Sequence, residues 1–161
     1  MSIQRFIDAM ISNNYGDTYN DAIIQLNNGR KTGCWIHYCL PIINMHGKKT
    51  KEGHIISLST ITKMFAIKDF NEAIEYINND ILRERLLEML NIIYYKIVKQ
   101  NIKLETLMGS NTDAMKCKSC ITLFYNTFKM TNFSYNILGE LYKLLGEDDI
   151  TISCLKAQII S

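Results

Sequence analysis

The sequence predicts an all-α fold of roughly six to eight helices, packed as an irregular bundle or a short superhelix. Three observations support this class. Apolar residues recur at three- and four-residue spacings along most of the chain, proline occurs only once, and glycine or asparagine follows several of the periodic segments. A length of 161 residues with 47% hydrophobic content fits one domain over residues 1–161.

The N-terminal part contains two amphipathic helices and a short apolar segment. Ser2 is the expected N-cap of the first helix, and the second should run from Asp17 to Gly29, a residue suited to a left-handed turn. Segment 34–40 is either a buried strand or a buried helix, and Pro41 ends it in both cases. The apolar residues of the two stripes are Ile3, Phe6, Ile7, Met10, Ile11, Tyr19, Ala22, Ile23 and Leu26.

The middle of the chain combines a polar loop with three further helices. Residues 47–53 have no apolar period, so we expect a mobile loop that could serve as a lid. Helices are expected over 57–66 and, after an Asp69 N-cap, over 70–77, and the two should form a short helical hairpin. The longest periodic segment, 80–98, is the expected central helix.

The C-terminal third continues the helical pattern. A largely buried helix is predicted over 112–128, and Met115 is expected to supply part of its apolar bulk. The residues expected to bound the last two helices, over 135–145 and from 148 or 149 to 155, are Ser134, Gly146, Asp148 and Asp149.

The charge balance argues against a whole-protein attraction to nucleic acid or to anionic membranes. The chain has 18 basic and 16 acidic side chains and a formal net charge of +2, so any preference for anions must be local. No apolar run approaches the ~18 residues needed to span a bilayer. We interpret the five cysteines as reduced thiols. We therefore expect a soluble, cytoplasmic protein without a signal peptide, cofactor, membrane partner or nucleic-acid partner, in the host cytosol if its source is viral.

Short sequence motifs and single residues follow one another along the chain in a recognisable order. They are Arg5-Phe6, Ala9, Gly29-Arg30-Lys31, Trp35, Tyr38, Pro41, Phe65-Ala66-Ile67, Glu72-Ala73, Tyr76, Leu82, Arg85-Leu86, Gly109, Asp113, Lys116, Ser119 and Thr122-Leu123-Phe124. Over nearly its whole length the chain thereby resembles the mostly bacterial family of unknown function DUF1810. The resemblance implies a mainly helical fold and no particular activity. Cys34, His37 and Ile42 depart from the His, Trp and Gln usual in relatives, and the 48–54 loop looks longer.

The strongest local signal is a cationic cluster. Its members are Arg30, Lys31, Lys48, Lys49 and Lys51, joined by Arg5 and Lys116 if the family fold brings these segments together. Arginine can bind phosphate through two parallel hydrogen bonds, and aromatic rings stack on nucleobases. Trp35, His37 and Tyr38 lie beside the cluster in sequence. This pattern predicts a site for a phosphorylated ligand; the alternative is a solvated lysine loop with Trp35 in the core.

A second polar pattern recurs along the helix predicted over 112–128. Asp113, Lys116, Ser119 and Thr122 occur at every third residue and therefore drift slowly around one helical face. Such a stripe can line a pocket. The alternative is a surface ion pair between Asp113 and Lys116, with both hydroxyl groups bonded to the helix backbone.

Metal binding and thiol catalysis have less support. Cys117 and Cys120, combined with Cys34 and His37, have the spacings of a tetrahedral zinc site. The first two cysteines, however, lie within a helical pattern, and a domain of this size needs no structural metal. We therefore expect no metal site. A thiol nucleophile would need a nearby histidine and an orienting acid, and no such set is apparent.

The first functional expectation is a non-catalytic binding module for a small anionic, nucleotide-like ligand. Its pocket is expected around Arg30, Lys31, Trp35 and Lys116. The other candidate ligand-binding residues are Arg5, His37, Tyr38 and Ser119. A viral source would favour sequestration of such a nucleotide.

Two alternatives belong to other classes of protein. One is a helical protein-interaction domain, in which His37, Tyr38 and neighbouring apolar residues form an exposed partner surface. The other, which we favour less, is a hydrolase or transferase acting on a phosphorylated or ADP-ribose-like substrate. Its acid or base would be Glu72, Asp113 or His37.

Overall fold

The computed structural model describes residues 2–160, with side chains described as far as Gln158. These residues form ten α-helices, and one π-helical turn, Tyr95–Lys99, extends the sixth. The helices are α1 (Gln4–Ile11), α2 (Tyr19–Asn27), α3 (Ile36–Cys39), α4 (Thr60–Phe65), α5 (Phe70–Asn78), α6 (Asp80–Tyr94), α7 (Leu104–Met108), α8 (Asn111–Lys129), α9 (Asn136–Leu145) and α10 (Asp149–Ile160). The all-α class is confirmed. The helix count is higher than expected, partly because α7, with five residues, is too short to show a period.

Helices α6 and α8 together form the centre of the fold. α6 packs against α1, α2, α5 and α9, whereas α8 packs against α3, α5, α7, α9 and α10. The buried residues of α8 include Ala114, Cys117, Ile121 and Phe124, which lie on several sides of the helix. Burial all round is typical of a helix inside a core. The expected central helix, α6, therefore shares that position with α8.

Several helix starts follow their sequence signals. Thr18 and Asp21 form a reciprocal capping box at the start of α2, and Asp69 accepts a hydrogen bond from the Glu72 N–H at the start of α5. The expected Asp69 cap is thus confirmed. Segment 34–40, which had two interpretations, contains the short helix α3.

Four local expectations were wrong. Ile3, not Ser2, takes the N-cap position of α1, although Ser2 Oγ still accepts a hydrogen bond from the Gln4 N–H at 3.2 Å. Tyr135, not Ser134, is the N-cap of α9, and it forms no side-chain cap. α4 begins at Thr60, three residues later than expected, because Ser59 caps it. Met115 is 55% exposed on the solvent side of α8 and adds little to the core.

The expected loop at 47–53 is the end of a small hydrogen-bonded hairpin. The Gly47 N–H donates to Ile56 O at 2.8 Å, the Ile56 N–H donates to Lys48 O at 2.8 Å, and Lys49 and Ile55 form an antiparallel bridge. The parallel bridge between Ile43 and Ile67 is the other extended pairing within residues 2–160. This hairpin had no sequence signal because residues 47–53 are polar and too few to show an alternating apolar pattern.

Across the described part of the chain, none of the helices combines the length and apolar character that a bilayer-spanning segment requires.

Candidate functional site

One glutamine positions the loop that carries the cationic residues. The side-chain oxygen of Gln25 accepts hydrogen bonds from the Thr32 and Gly33 N–H groups, both at 2.9 Å, and from the Trp35 indole N–H at 2.8 Å. Its amide nitrogen donates to Asp17 Oδ2 at 2.7 Å. Helix α2 therefore fixes the path of the chain leading into α3.

Lys31 connects this loop to α7 and α8. Its backbone N–H donates to Leu107 O at 2.7 Å, and its Nζ lies 2.7 Å from Asp113 Oδ2. The ammonium group is also 5.4 Å from the centre of the Trp35 ring. The side chain of Lys31 is 9% exposed and that of Asp113 is 19% exposed, so this ion pair is largely shielded from solvent.

His37 lies close enough to Lys31 and Lys116 for their charges to affect its pKa. Burial, with the positive charges of Lys116 and Lys31, lowers the pKa of His37 to about 4, while the negative charge of Asp113 acts in the opposite direction. Its Nδ1 is 3.1 Å from Thr62 Oγ1, which fixes the orientation of the ring. His37 is therefore neutral at neutral pH. We call Lys31, His37, Asp113 and Lys116 the α3–α8 cluster.

Lys116 is the cation of this cluster that has no charge partner. Its side chain is half-buried on α8, and no carboxylate within residues 2–160 lies at ion-pair distance from its ammonium group. Asp113 is already paired with Lys31. With His37 neutral, the α3–α8 cluster carries one excess positive charge.

Three of the candidate ligand-binding residues face the protein interior. Trp35 and Tyr38 are both 0% exposed, and the Tyr38 hydroxyl donates toward Asp17 O and Cys34 O. Ser119 is also buried, and its hydroxyl donates to the backbone oxygen one turn earlier on α8. The two rings therefore offer no free face for stacking on a ligand, and Tyr38 contributes nothing to an exposed partner surface.

Arg5 lies in a separate clamp between α1 and α5. Its guanidinium group makes two hydrogen bonds to the Glu72 carboxylate, at 2.7 and 2.9 Å, and donates to Ser2 O, Met64 O and Ala66 O. These five bonds use the full donor capacity of an arginine. Burial alone would raise the pKa of Glu72, but hydrogen bonds from Arg5 and the Lys68 N–H lower it below its ordinary value.

The remaining candidate cations divide between two places. Arg30 is exposed and directly precedes Lys31, a member of the α3–α8 cluster, in the sequence. The hairpin lysines have α10 as a neighbour: Lys51 pairs with Asp149 at 3.1 Å, and the charge of Lys48 acts on the Cys154 thiol. The sequence placed all of these lysines in one group with Arg30.

No metal centre is assembled from the described residues. Residues 2–160 contain no group of three or more His, Cys, Asp and Glu side chains that could hold an ion. Cys117 and Cys120 are buried, whereas Cys34 is exposed. Burial raises the pKa of Cys117 to about 12, so its sulfur stays protonated and is a poor metal ligand.

Two further residues shape the site, Gln25 and Thr62, and neither belongs to a sequence pattern that indicates a site. Gln25 bonds backbone and indole donors up to ten residues away, and Thr62 contacts His37 across 25 residues. No spacing rule links such pairs. Only the polar position of Gln25 next to the buried Leu26 could have drawn attention to it.

We expect His37→Gln to flatten the pH dependence of stability. In the unfolded chain a histidine takes up a proton near its ordinary pKa of about 6.5, whereas folded His37 resists protonation until about pH 4. The free energy of unfolding therefore has its full value above the unfolded-state pKa, and it falls as the pH drops from there toward the folded-state pKa. Partial solvent access reduces the effect to about 1–2 kcal/mol.

Urea unfolding at pH 7 and pH 4.5 measures this difference. The exposed His54 is a suitable control position, and His54→Gln should keep the pH dependence of the unaltered protein. An equal loss of stability in His37→Gln and the unaltered protein would contradict the expectation.

These features define a small all-helical protein whose α3 and α8, with the loop before α3, gather a cluster of net positive charge. The chain belongs to the family described as Protein of unknown function (DUF1810), whose model matches residues 1–155. The sequence resemblance is thereby confirmed.

A solved structure with a similar fold is that of the conserved hypothetical protein Rv1873 from Mycobacterium tuberculosis. It shares 25% sequence identity with this chain over 96% of each chain, with a TM-score of 0.72. A search of curated proteins gives no match. The comparisons therefore establish family and fold, and they name no ligand or reaction.

Proposed function

We propose that the protein is a binding module for a small anionic, nucleotide-like ligand that docks at the α3–α8 cluster. The observation that carries this proposal is the partly buried residue Lys116, whose ammonium group has no carboxylate partner within residues 2–160. A cation in a partly desolvated position attracts anions more strongly than one in bulk water. A phosphate or carboxylate group would supply the missing counter-charge.

Neighbouring groups favour a phosphate-bearing ligand. Lys31 places a second ammonium group in the cluster, although it is already paired with Asp113, and the exposed Arg30, next to Lys31 in sequence, offers a guanidinium fork that suits phosphate oxygens. His37 supplies a neutral imidazole whose Nδ1 is engaged with Thr62, which leaves Nε2 for a ligand. Since Trp35 and Tyr38 are buried, charge and hydrogen bonding carry recognition here, without base stacking on those two rings.

Lys116→Gln is expected to abolish ligand-induced stabilisation. AMP, ADP, cyclic AMP and ADP-ribose would be screened by thermal shift, and the affinity of any stabilising compound would then be measured by calorimetry. Loss of the ammonium group should weaken binding at least about tenfold, which corresponds to ~1.4 kcal/mol. The change should scarcely affect folding, because Lys116 makes no ion pair within residues 2–160.

Lys118→Gln is the matched control. Lys118 is also half-buried on α8, but its ammonium group lies near Gly146, at the end of α9. This variant should bind like the unaltered protein. Equal affinities of all three proteins would refute the α3–α8 site, and so would the absence of stabilisation by any compound in the panel.

Whether the ligand is recovered chemically intact distinguishes a binding module from an enzyme. A binding module returns its ligand intact after long incubation with stoichiometric protein. Hydrolysed or transferred products, detected by mass spectrometry and absent with Lys116→Gln, would instead support the hydrolase or transferase alternative.

A further inference from the structure

A groove of about 530 Å³ opens between the C-terminal end of α8 and the first half of α9. Its volume is in the range of small-molecule sites. Its aromatic walls are formed by Tyr125, Phe128, Phe133 and Tyr135. We call it the α8–α9 groove; no residue of the α3–α8 cluster lines it.

The aromatic walls are held in place by their neighbours. The Tyr125 ring stacks on Tyr142 with centroids 4.0 Å apart and an interplanar angle of 10°. Arg83 covers one face of the Phe133 ring at 4.2 Å. Phe128 is 6% exposed and lies 6.3 Å from Phe133, ring centre to ring centre. A fixed aromatic surface binds a planar ring with little loss of side-chain freedom.

Two lysines add positive charge to this surface. Lys129 Nζ lies 5.1 Å from the centre of the Tyr125 ring, and Lys143 is exposed on α9. Neither lysine has a carboxylate at ion-pair distance within residues 2–160. The one carboxylate in the lining, Glu140, accepts a hydrogen bond from the Tyr94 hydroxyl at 2.6 Å. The groove thus combines flat apolar walls with an excess of cations.

Gly139 lines the groove on the side of α9. It lies inside α9, where glycine is a poor helix former, and its φ is not in the left-handed region. A Cβ at this position would lie 3.7 Å from Tyr125 Cε1, an ordinary van der Waals distance. Neither backbone conformation nor a steric clash therefore requires glycine here. What a larger residue would remove is the open space beside the Tyr125 ring.

We propose that the α8–α9 groove binds an aromatic anion, a planar ring that carries one negatively charged group. The ring packs against the aromatic walls, in the space left by Gly139, and the charged group pairs with Lys129 and Lys143. This site is separate from the α3–α8 cluster and does not depend on the function proposed for it.

1-Naphthyl phosphate is a suitable probe, because its own fluorescence reports binding as anisotropy. Gly139→Leu should fill the groove and weaken binding at least about tenfold. It should also preserve or raise the melting temperature, because leucine is a better helix former than glycine. Gly139→Ala, which adds a single methyl group, should retain most of the affinity. Lys129→Gln, at an exposed position, should weaken binding several-fold without affecting the fold.

Two kinds of control test whether the probe binds in this groove and whether binding needs both its ring and its charged group. Lys116→Gln should leave the affinity for the probe unchanged, since Lys116 does not line the groove. By calorimetry, inorganic phosphate and 1-naphthol, each half of the probe, should both bind more weakly than 1-naphthyl phosphate. The proposal is overturned if the unaltered protein does not bind the probe, if Gly139→Leu binds it normally, or if 1-naphthol binds as tightly as 1-naphthyl phosphate. Loss of probe binding in Lys116→Gln would also overturn it and place the probe at the α3–α8 cluster.

Discussion

Replacing Arg5 with alanine is expected to lower the free energy of unfolding by about 3–5 kcal/mol. The guanidinium group forms a two-bond ion pair with Glu72, whose side chain is 6% exposed, and it also binds the backbone oxygens of Met64 and Ala66. The variant leaves the buried Glu72 carboxylate without its cationic partner, although the Lys68 N–H still donates to it, and leaves two backbone oxygens without the arginine donor. An unpaired buried charge costs more than the pair itself contributes.

Urea denaturation at pH 7 measures this loss, and an exposed ion pair provides the comparison. The side chains of Lys51 and Asp149 are 80% and 58% exposed, so Lys51→Ala should leave the free energy of unfolding nearly unchanged. If Arg5→Ala cost no more than Lys51→Ala, the clamp between α1 and α5 would not stabilise the fold in the way its geometry indicates.

Gly109→Ala is expected to destabilise the protein by about 2–3 kcal/mol and to disturb the α3–α8 cluster. Gly109 ends α7 with φ +84°, a left-handed conformation that alanine disfavours. An added Cβ would lie 2.6 Å from Lys31 O, too close for any real contact. Since the Lys31 N–H is bonded to Leu107 O, relief of the clash must move the backbone that positions the Lys31–Asp113 ion pair.

Gly53→Ala separates the two causes. Gly53 has nearly the same φ, +86°, but its Cβ would meet nothing within 4 Å, so this variant measures the cost of the backbone conformation alone, about 1 kcal/mol. Urea denaturation compares the two variants. Amide chemical shifts of Lys31 and Asp113 should change in Gly109→Ala and stay constant in Gly53→Ala. Equal stabilities, with no shift changes, would rule out the steric explanation.

The sequence predicted those parts of the fold whose signals are local and repeated. The stripe that includes Leu82, Leu86 and Leu90 was sufficient to place α6, because several turns of helix bury the same face. The four residues of α3 complete about one turn, and Ile36, Tyr38 and Cys39 are all buried, so no period could show which way Trp35 and Tyr38 face. The hairpin near Lys49 and Ile55 gave no sequence signal because its residues are mostly polar and too few to show an alternating apolar pattern.

The candidate site depends on contacts that are distant in sequence. Lys31 and Asp113 are 82 residues apart, and Arg5 and Glu72 are 67 residues apart. The family resemblance allowed Arg5 and Lys116 to be grouped with Lys31, but it did not distinguish their surroundings. The structure gives Arg5 a buried carboxylate and gives Lys116 none within residues 2–160. Binding at Lys116 and its neighbours stays a prediction.

The π-helical turn at the end of α6 has a consequence for how the chain length can vary during evolution. Between Tyr95 and Lys99 the helix is widened, and the Gln100 N–H reaches back five residues to Tyr95 O at 3.2 Å. Such a turn contains one more residue than the α-helical turn that it replaces. A relative lacking one residue here could close the turn into an ordinary helix without rotating the inner face of α6 or displacing α7. A single-residue alignment gap in this segment is therefore compatible with an unchanged core.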